Sequence, residues 1–146
     1  MINKINNCCF EHKGTNASAS ERGKSFLLEN RSKVLIKKVD VDKCVYKDNT
    51  TDKRCDYLFQ AETKRPKVFF VELKGCDLSS GIDQIHSSLL ALKEYFLNHM
   101  IEARLITNRP VPDLRTRRTF VEIKRITKTS GGDFLIRNNG NYSEII

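Results

Sequence analysis

The sequence predicts an α/β protein in which one mixed β-sheet is flanked by helices. Three observations support this: two apolar runs joined by a short polar turn, a long amphipathic helix after them, and another apolar run after that helix. The short turn favours antiparallel pairing, whereas the strand–helix–strand order favours parallel pairing. With 146 residues the chain predicts a single domain, residues 1–146, that is large enough to bury its own core.

The first third of the chain predicts one helix and one strand. Residues 1–17 show no periodic pattern and predict irregular structure. Ser18-Ala19-Ser20-Glu21 matches a capping box, which predicts a helix from Ser18 to about Asn30. Loosely alternating valine and isoleucine residues then predict a long first strand over residues 33–47, and polar residues 48–52 predict a turn.

The two apolar runs predict an antiparallel hairpin. Its strands are Arg54–Phe59 and Val68–Gly75, and the polar residues between them centre the turn near residue 64. Counting outward from that centre places Asp56 directly opposite Glu72. Opposite residues point to the same face, with Cβ atoms about 4.5–5.5 Å apart.

Lys74 lies two residues beyond Glu72 and so points to the same face. Two facing carboxylates in an apolar strand are costly unless a cation lies between them. Asp56, Glu72 and the backbone carbonyl of Leu73 therefore predict a site of hard oxygen ligands for Mg²⁺ or Mn²⁺. Such an ion polarises a phosphoryl oxygen and activates water, and Lys74 would stabilise the developing negative charge.

The second half predicts a helix, a strand and two further elements. Apolar residues spaced alternately by four and three predict a helix that packs on the sheet: Leu78, Ile82, Ile85, Leu89, Leu92 and Phe96. Residues 103–107 predict a short fourth strand. A basic helix is predicted from beyond Pro112 to about Lys128. Two short apolar runs around Asn139-Gly140, a favoured tight turn, predict a C-terminal hairpin of Phe134–Arg137 and Tyr142–Ile145.

A second Glu-x-Lys triplet, Glu122-Ile123-Lys124, falls in this basic helix. No strand with a facing aspartate precedes it, so no metal site is predicted there.

The charge favours a polyanionic partner. The net charge is +8 and the isoelectric point is about 9.4, and lysine and arginine side chains that neutralise phosphates release condensed counterions. The residues predicted to bind nucleic acid are Lys64, Arg65, Arg109, Arg115, Arg117 and Arg118.

Other features restrict the location of the chain. No stretch approaches the roughly 18 apolar residues that span a bilayer, and the first residues lack the apolar segment of a secretory signal. No membrane association and a cytoplasmic location are therefore expected, with the five cysteines as reduced thiols: Cys8, Cys9, Cys44, Cys55 and Cys76.

Asp56 followed by Glu72-Leu73-Lys74 resembles the signature of the PD-(D/E)XK nuclease superfamily, which has the restriction-endonuclease-like fold. The helix–three strands–helix–strand core of that family agrees with residues 18–107, which leaves 108–146 as an accessory part. Cys55 stands where the family signature has its proline. The resemblance implies a Mg²⁺- or Mn²⁺-dependent endonuclease that hydrolyses phosphodiester bonds, with DNA favoured over RNA. The size is similar to that of Holliday-junction resolvases, which implies a homodimer with two active sites.

The resemblance implies two more site residues. Many members complete the metal shell with a glutamate on the first helix, which Glu21 would match; the alternative is a capping partner for Ser18, and Glu29 is the substitute ligand. Some members orient the site with a glutamine on the helix after the Glu-x-Lys strand, which Gln84 would match. His86 on the same helix is expected to be a surface histidine.

Two alternatives to a nuclease remain at this point. One is a catalytically inactive nucleic-acid-binding module of the same fold. The other is an interaction protein whose acidic residues form ordinary surface ion pairs.

Overall fold

A computed structural model describes residues 1–48 and 53–146. Three α-helices lie in these ranges: α1 (Ile2–Asn7), α2 (Leu78–Leu92) and α3 (Arg118–Ser130). The strands are β1 (Cys9–Lys13), β2 (Ala17–Glu21), β3 (Lys24–Glu29), β4 (Leu35–Asp40), β5 (Tyr57–Ala61), β6 (Lys67–Leu73), β7 (Met100–Ile106), β8 (Phe134–Arg137) and β9 (Asn141–Ile145). A π-helical turn (Val41–Val45) follows β4, and a 3₁₀ turn (Lys93–Phe96) follows α2.

The strands form a six-stranded mixed sheet and a three-stranded sheet. The order in the large sheet is β1-β4-β5-β6-β7-β8, with antiparallel pairing up to β6 and parallel pairing from β6 to β8. The order in the small sheet is β2-β3-β9. The predicted α/β class with a mixed sheet and flanking helices is confirmed.

Apolar residues on the two faces of the large sheet form two cores. Alternate residues of β6 divide between them, so Val68 and Phe70 face α2, whereas Phe69 and Val71 face the small sheet. The apolar stripe of α2 packs in the first core, with Ile82, Ile85, Leu89 and Leu92 fully buried. The prediction of this helix from its periodicity is confirmed.

The predicted helix over residues 18–30 is wrong, because this segment forms the antiparallel hairpin β2–β3. Ala17 and Ala19 are buried against the large sheet, whereas the serines between them are exposed. Phe26 and Leu28 are also both buried. Residues two apart share a face in a strand but lie on opposite sides of a helix, so only the strand buries both members of each pair.

The predicted long strand over residues 33–47 is too long. β4 ends at Asp40, whose side chain accepts a hydrogen bond from the backbone N–H of Lys43 (3.1 Å) and so caps the π-helical turn. Val41 and Val45 are buried within that turn. Residues 49–52 of the predicted turn 48–52 lie outside the described residues.

The predicted C-terminal hairpin is also wrong. Both strands exist, but β8 pairs with β7 in the large sheet and β9 pairs with β3 in the small one. The backbone of Gly140 explains the divergence: its N–H donates to Thr107 O (2.9 Å), and its O accepts from the N–H of Ser25 (2.8 Å). The turn is held by two other segments, so its flanking strands separate.

The N-terminal residues are more ordered than predicted, because α1 is followed by β1 at the edge of the large sheet. Pairing of β1 with β4 brings Cys8 to the turn after β4, where it forms a disulfide with Cys44. The prediction of reduced thiols is therefore wrong for these two cysteines. Cys9, Cys55 and Cys76 are free thiols.

Candidate metal and phosphodiester site

The two predicted acids meet at the open end of the β5–β6 hairpin. The observed register pairs Tyr57 with Val71, as predicted, and its continuation brings Asp56 to Glu72. The backbone N–H of Asp56 donates to Glu72 Oε1 (3.1 Å), and the backbone N–H of Leu73 donates to Asp56 Oδ2 (2.9 Å). Each carboxylate is therefore held by the opposite strand.

The environment of these acids disfavours their charge. Glu72 is only 2% exposed, and burial, followed by the charge of Asp56, raises its pKa to about 9 against the opposing effect of Lys74. Burial likewise raises the pKa of Asp56 to about 6, and the charge of Glu21 contributes in the same direction. The acids are thus not ordinary surface ion pairs.

Lys74 is held beside the acids by α2. Its Nζ donates to Gln84 Oε1 (2.9 Å), and Gln84 Nε2 donates in turn to the carbonyl of Arg54 (3.2 Å). A Cβ atom at Gly81, one turn earlier on α2, would lie 3.3 Å from Lys74 Cγ. The glycine therefore leaves room for the lysine side chain, and Gln84 sets the position of its ammonium.

The residues before Asp56 are attached to the same helix. The backbone N–H of Cys55 donates to Ser88 Oγ (2.7 Å), and Ser88 Oγ donates to the carbonyl of Gln84 (2.8 Å). Ser87 donates to the carbonyl of Lys53. A proline at position 55 would have no N–H to donate to Ser88.

A cavity of about 280 Å³ opens at this end of the sheet. Its wall contains every residue predicted to form the catalytic site, together with four others: Glu21, Arg22, Lys24, Asp56, Glu72, Leu73, Lys74, Gly75, Cys76 and Gln84. Glu21 reaches the cavity from the end of β2, not from a helix. Its predicted presence near the acids is matched, but the capping role and the helical position are wrong.

Glu21 does not complete a compact ligand set. No three His, Cys, Asp or Glu side chains in residues 1–48 and 53–146 lie close enough together to hold a metal ion. Glu21 instead forms an ion pair with Lys43 (3.8 Å). Glu29 at the end of β3, the substitute ligand, pairs with Arg31 (3.0 Å). The close oxygen donors are therefore those of Asp56 and Glu72, with Leu73 beside them.

A larger cavity, of about 510 Å³, lies between residues 111–115, α3 and β8. Its one carboxylate, Asp113, is exposed and bonded to Arg115 (3.0 Å). That bond lowers the pKa of Asp113 to about 2. Asp113 is already paired with Arg115. The larger cavity therefore lacks carboxyls with raised pKa, such as Asp56 and Glu72 in the smaller cavity.

The residues predicted to bind nucleic acid lie near opposite ends of the strands of the large sheet. Lys64 and Arg65 lie in the β5–β6 turn, and Arg65 Nη2 donates to the carbonyl of Ser130 at the end of α3 (2.7 Å). This turn is at the far end of the hairpin from Asp56 and Glu72. The two side chains are therefore remote from the acids.

The four remaining arginines follow β7, whose C-terminal end lies beside that of β6 because the strands are parallel. Arg109 is exposed and lines a cavity that shares Cys76 with the site. Arg117 pairs with Asp83 on α2 (2.8 Å), and Arg118 begins α3. Arg104, a basic residue of the same region, is instead buried in β7.

Other residues considered in the sequence have ordinary roles. Asp77 caps α2 by accepting from the N–H of Ser80 (3.1 Å). His86 is half-buried and faces Glu122 of α3 (3.5 Å). The second Glu-x-Lys triplet lies in α3, and none of its residues lines the cavity that contains Asp56 and Glu72.

Ser88, Arg22 and Lys24 were not among the predicted site residues. A signal for Ser88 existed, because Ser80, Gln84 and Ser88 recur every four residues and form a polar stripe on an otherwise apolar helix. Arg22 and Lys24 were not predicted because residues 18–30 were assigned to a helix, and a helix gives no reason to expect them near Asp56.

No family model, curated protein or solved structure matches this chain. None of the helices in the described residues is long and apolar enough to cross a bilayer. The inference of function therefore depends on the geometry of the site and on the short motif within it.

Proposed function

We propose that this protein is a divalent-metal-dependent nuclease that hydrolyses phosphodiester bonds of nucleic acid, with DNA as the favoured substrate. One observation carries the proposal: two facing carboxyls, both with raised pKa, lie beside a positioned lysine in the wall of an open cavity. Repulsive groups of this kind in an otherwise consistent strand concentrate at functional sites.

The donor set fits Mg²⁺ or Mn²⁺. Asp56, Glu72 and the carbonyl of Leu73 offer hard oxygen ligands, whereas the described part of the cavity wall brings no imidazole and only the thiol of Cys76. The raised pKa values of the two acids come chiefly from burial, a cost that a bound divalent ion would offset. Such an ion, when bound, supplies Lewis-acid polarisation of the phosphate and an acidified water.

The remaining chemistry belongs to the chain. Lys74 places an ammonium where negative charge develops on the phosphate, and the bond to Gln84 fixes its position before the substrate arrives. The bonds of Cys55 and Gln84 to their neighbours attach the Asp56 segment to α2. The acids and the lysine are thereby held by one rigid pair of elements.

The element order supports the same family resemblance in a revised form. With β1, β2 and β3 set aside, the chain runs α1, β4, β5, β6, α2 and β7, which is a helix–three strands–helix–strand order. The first helix is then α1, not residues 18–30. The restriction-endonuclease-like fold is part of the proposal, with hairpin β2–β3 as an addition that provides Glu21.

Two further parts of the proposal concern the setting. We place the enzyme in the cytoplasm, although the Cys8–Cys44 disulfide is unusual for a reducing compartment. We also propose a homodimer for branched DNA, because paired cuts require two active sites.

Cleavage assays test the proposal. Duplex, single-stranded and branched DNA, and RNA, are incubated with the protein and Mg²⁺ or Mn²⁺, alongside Asp56→Ala and Lys74→Ala. Asp113→Ala is the matched control, because this exposed aspartate lies outside the site cavity. We expect both site variants to lose at least about 100-fold of the activity and the control to retain it. Equal activity in all four proteins would refute the proposal.

An inactive nucleic-acid-binding module is the second candidate. It is favoured by the lack of a third metal-ligating side chain near Asp56 and Glu72 within the described residues. Salt-dependent DNA binding without turnover under any divalent metal would support it. Calorimetric titration with Mn²⁺ separates the two, since the nuclease requires metal binding that Glu72→Gln abolishes.

A further inference from the structure

The tip of hairpin β2–β3 forms one wall of the site cavity, to which it contributes Glu21, Arg22 and Lys24. Arg22 and Gly23 are the central residues of its two-residue turn, with φ of 48° and 79°. Both values are positive, as in the type I′ turns that favour asparagine and glycine. An arginine at this position is unusual, which indicates that its side chain or carbonyl has a use.

Lys24 is the first residue after that turn and is only 4% exposed. Its Nζ donates to the carbonyl of Arg22 (3.1 Å). An ammonium has three N–H donors, and within residues 1–48 and 53–146 no carboxylate forms an ion pair with this one. A buried ammonium without an anion is costly. The other donors of this ammonium have no hydrogen-bond partner among the described residues and are available to an anion.

The ammonium of Lys24 faces the cavity beside the reactive strand. A Cβ atom at Gly75 would lie 3.7 Å from Lys24 Nζ, so the ammonium is adjacent to the backbone that directly follows Lys74. The side chain of Arg22 is exposed at the rim of the same cavity and forms no ion pair with any described residue. Both cations thus line the cavity next to the proposed site of hydrolysis.

We propose that Lys24 and Arg22 bind the phosphodiester next to the one that is cleaved. The inference rests on the proposed function, which identifies the anion as a nucleic-acid phosphate. Lys24 contacts this phosphate inside the cavity and Arg22 contacts it from the rim, where a planar guanidinium matches two phosphate oxygens. Hairpin β2–β3 then fixes the position of the strand relative to Asp56 and Glu72.

Binding of a short fluorescein-labelled single-stranded DNA, measured by anisotropy in EDTA, tests this subsite without metal or turnover. We expect Lys24→Gln to weaken binding about tenfold, because a charge-assisted contact of this kind contributes about 1.4 kcal/mol. Lys24→Arg should restore most of the affinity. Lys13→Gln, at the opposite edge of the sheet, removes the same charge and should leave affinity unchanged. Inorganic phosphate should compete for the wild-type protein.

A second variant covers the case in which Lys24→Gln does not fold. Arg22→Asn keeps a residue that tolerates positive φ and removes only the guanidinium, and it should weaken binding about threefold. Affinity of Lys24→Gln equal to that of Lys13→Gln overturns the subsite. If Lys24→Gln is unfolded, unchanged binding by Arg22→Asn with no phosphate competition overturns it.

The same measurements separate the subsite from the nuclease. Lys24-dependent binding by a protein that cuts nothing under any metal means that the phosphate site stands and the nuclease fails. Glu72-dependent cleavage with an unchanged KM in Lys24→Gln means the converse.

Discussion

Two neighbouring strands bury charge in opposite ways. On β7, Arg104 is 4% exposed and donates to Glu102 (3.0 Å) and to Glu144 of β9. On β6, Glu72 is equally buried but faces Asp56 instead of a guanidinium. The first cluster satisfies its charges internally and joins the two sheets. The second does not, and under the proposed function a bound divalent ion would complete it.

The largest expected effect is on stability, at the cluster of Glu102, Arg104 and Glu144. Arg104→Met should lower the free energy of unfolding by about 3–5 kcal/mol, because it leaves the buried carboxylate of Glu102 and the half-buried one of Glu144 without their guanidinium. Urea denaturation measures the change. Arg115→Met removes an exposed arginine and should leave stability unchanged. A loss for Arg104→Met no larger than that of this control would mean that the cluster does not stabilise the joined sheets.

Glutamine at the two buried glutamates should have effects of opposite sign. Without metal at pH 8, Glu72→Gln should raise the free energy of unfolding by about 1–3 kcal/mol, because Glu72, whose pKa is raised to about 9, must take up a proton to fold at this pH and glutamine need not. Glu102→Gln should lower it, since it removes a partner of Arg104. Thermal unfolding in EDTA measures both. Destabilisation by both substitutions would contradict the contrast between the clusters.

The pH dependence follows from the same acids. The pKa of Glu72 is raised from 4.5 to about 9 and that of Asp56 from 3.8 to about 6. The folded state therefore binds more protons than the unfolded state, so stability falls as pH rises between about 4 and 9. Melting temperatures in EDTA should show this fall, and Glu72→Gln should reduce it.

Mn²⁺ provides the complementary measurement. It competes with protons for the two carboxyls, so the increase in melting temperature that it causes should grow with pH. A shift that is constant with pH, or one that persists in Glu72→Gln, would place the ion elsewhere.

A smaller effect is expected from the glycine that accommodates Lys74. A Cβ atom at Gly81 would lie 3.0 Å from Leu105 Cδ1 and 3.3 Å from Lys74 Cγ, closer than ordinary contacts. Gly81→Ala should therefore displace Lys74 and lower kcat about tenfold, with little change in KM. Leu90→Ala, on the exposed side of α2, is the control for the helix. Unchanged kcat would show that the lysine position tolerates this shift.

The smallest effect separates the two groups of basic residues. Arg109→Ala should weaken DNA binding and reduce the slope of log affinity against log salt concentration by about one. The reason is that Arg109 follows the end of β7 that lies beside Glu72. Lys64→Ala should change neither the affinity nor this slope, since Lys64 lies in the β5–β6 turn, at the far end of the hairpin from the acids. Equal losses in the two variants would place DNA across a different surface.

The β5–β6 hairpin and α2 could be predicted because local and tertiary signals agree there. The apolar alternation and the position of the polar turn determine the register of β5 and β6, and that register brings Asp56 to Glu72. Likewise, the apolar stripe of α2 has a single face that can be buried. The two acids and Lys74 could therefore be predicted to lie together from the pattern of residues, whereas Gln84 was implied only by the resemblance.

Hairpin β2–β3 could not be predicted in the same way. Ser18, Ala19 and Ser20 are weak strand formers, and a capping-box match outweighed the alternation of Ala17, Ala19, Phe26 and Leu28. These residues are buried by the face of the large sheet that lies away from α2. The sequence of the segment itself contains no information about that contact. The same reason applies to β8 and β9, since their partners β7 and β3 are distant in sequence.

The hydrogen bond from Cys55 to Ser88 links the identities of two positions far apart in sequence. A proline at position 55 would leave the serine hydroxyl without this donor, and an alanine at position 88 would leave the N–H of Cys55 buried and unsatisfied. Substitutions at the two positions should therefore covary among related chains, with proline at the first accompanying an apolar residue at the second. A change from cysteine to proline at position 55 should therefore accompany a change from serine to an apolar residue at position 88.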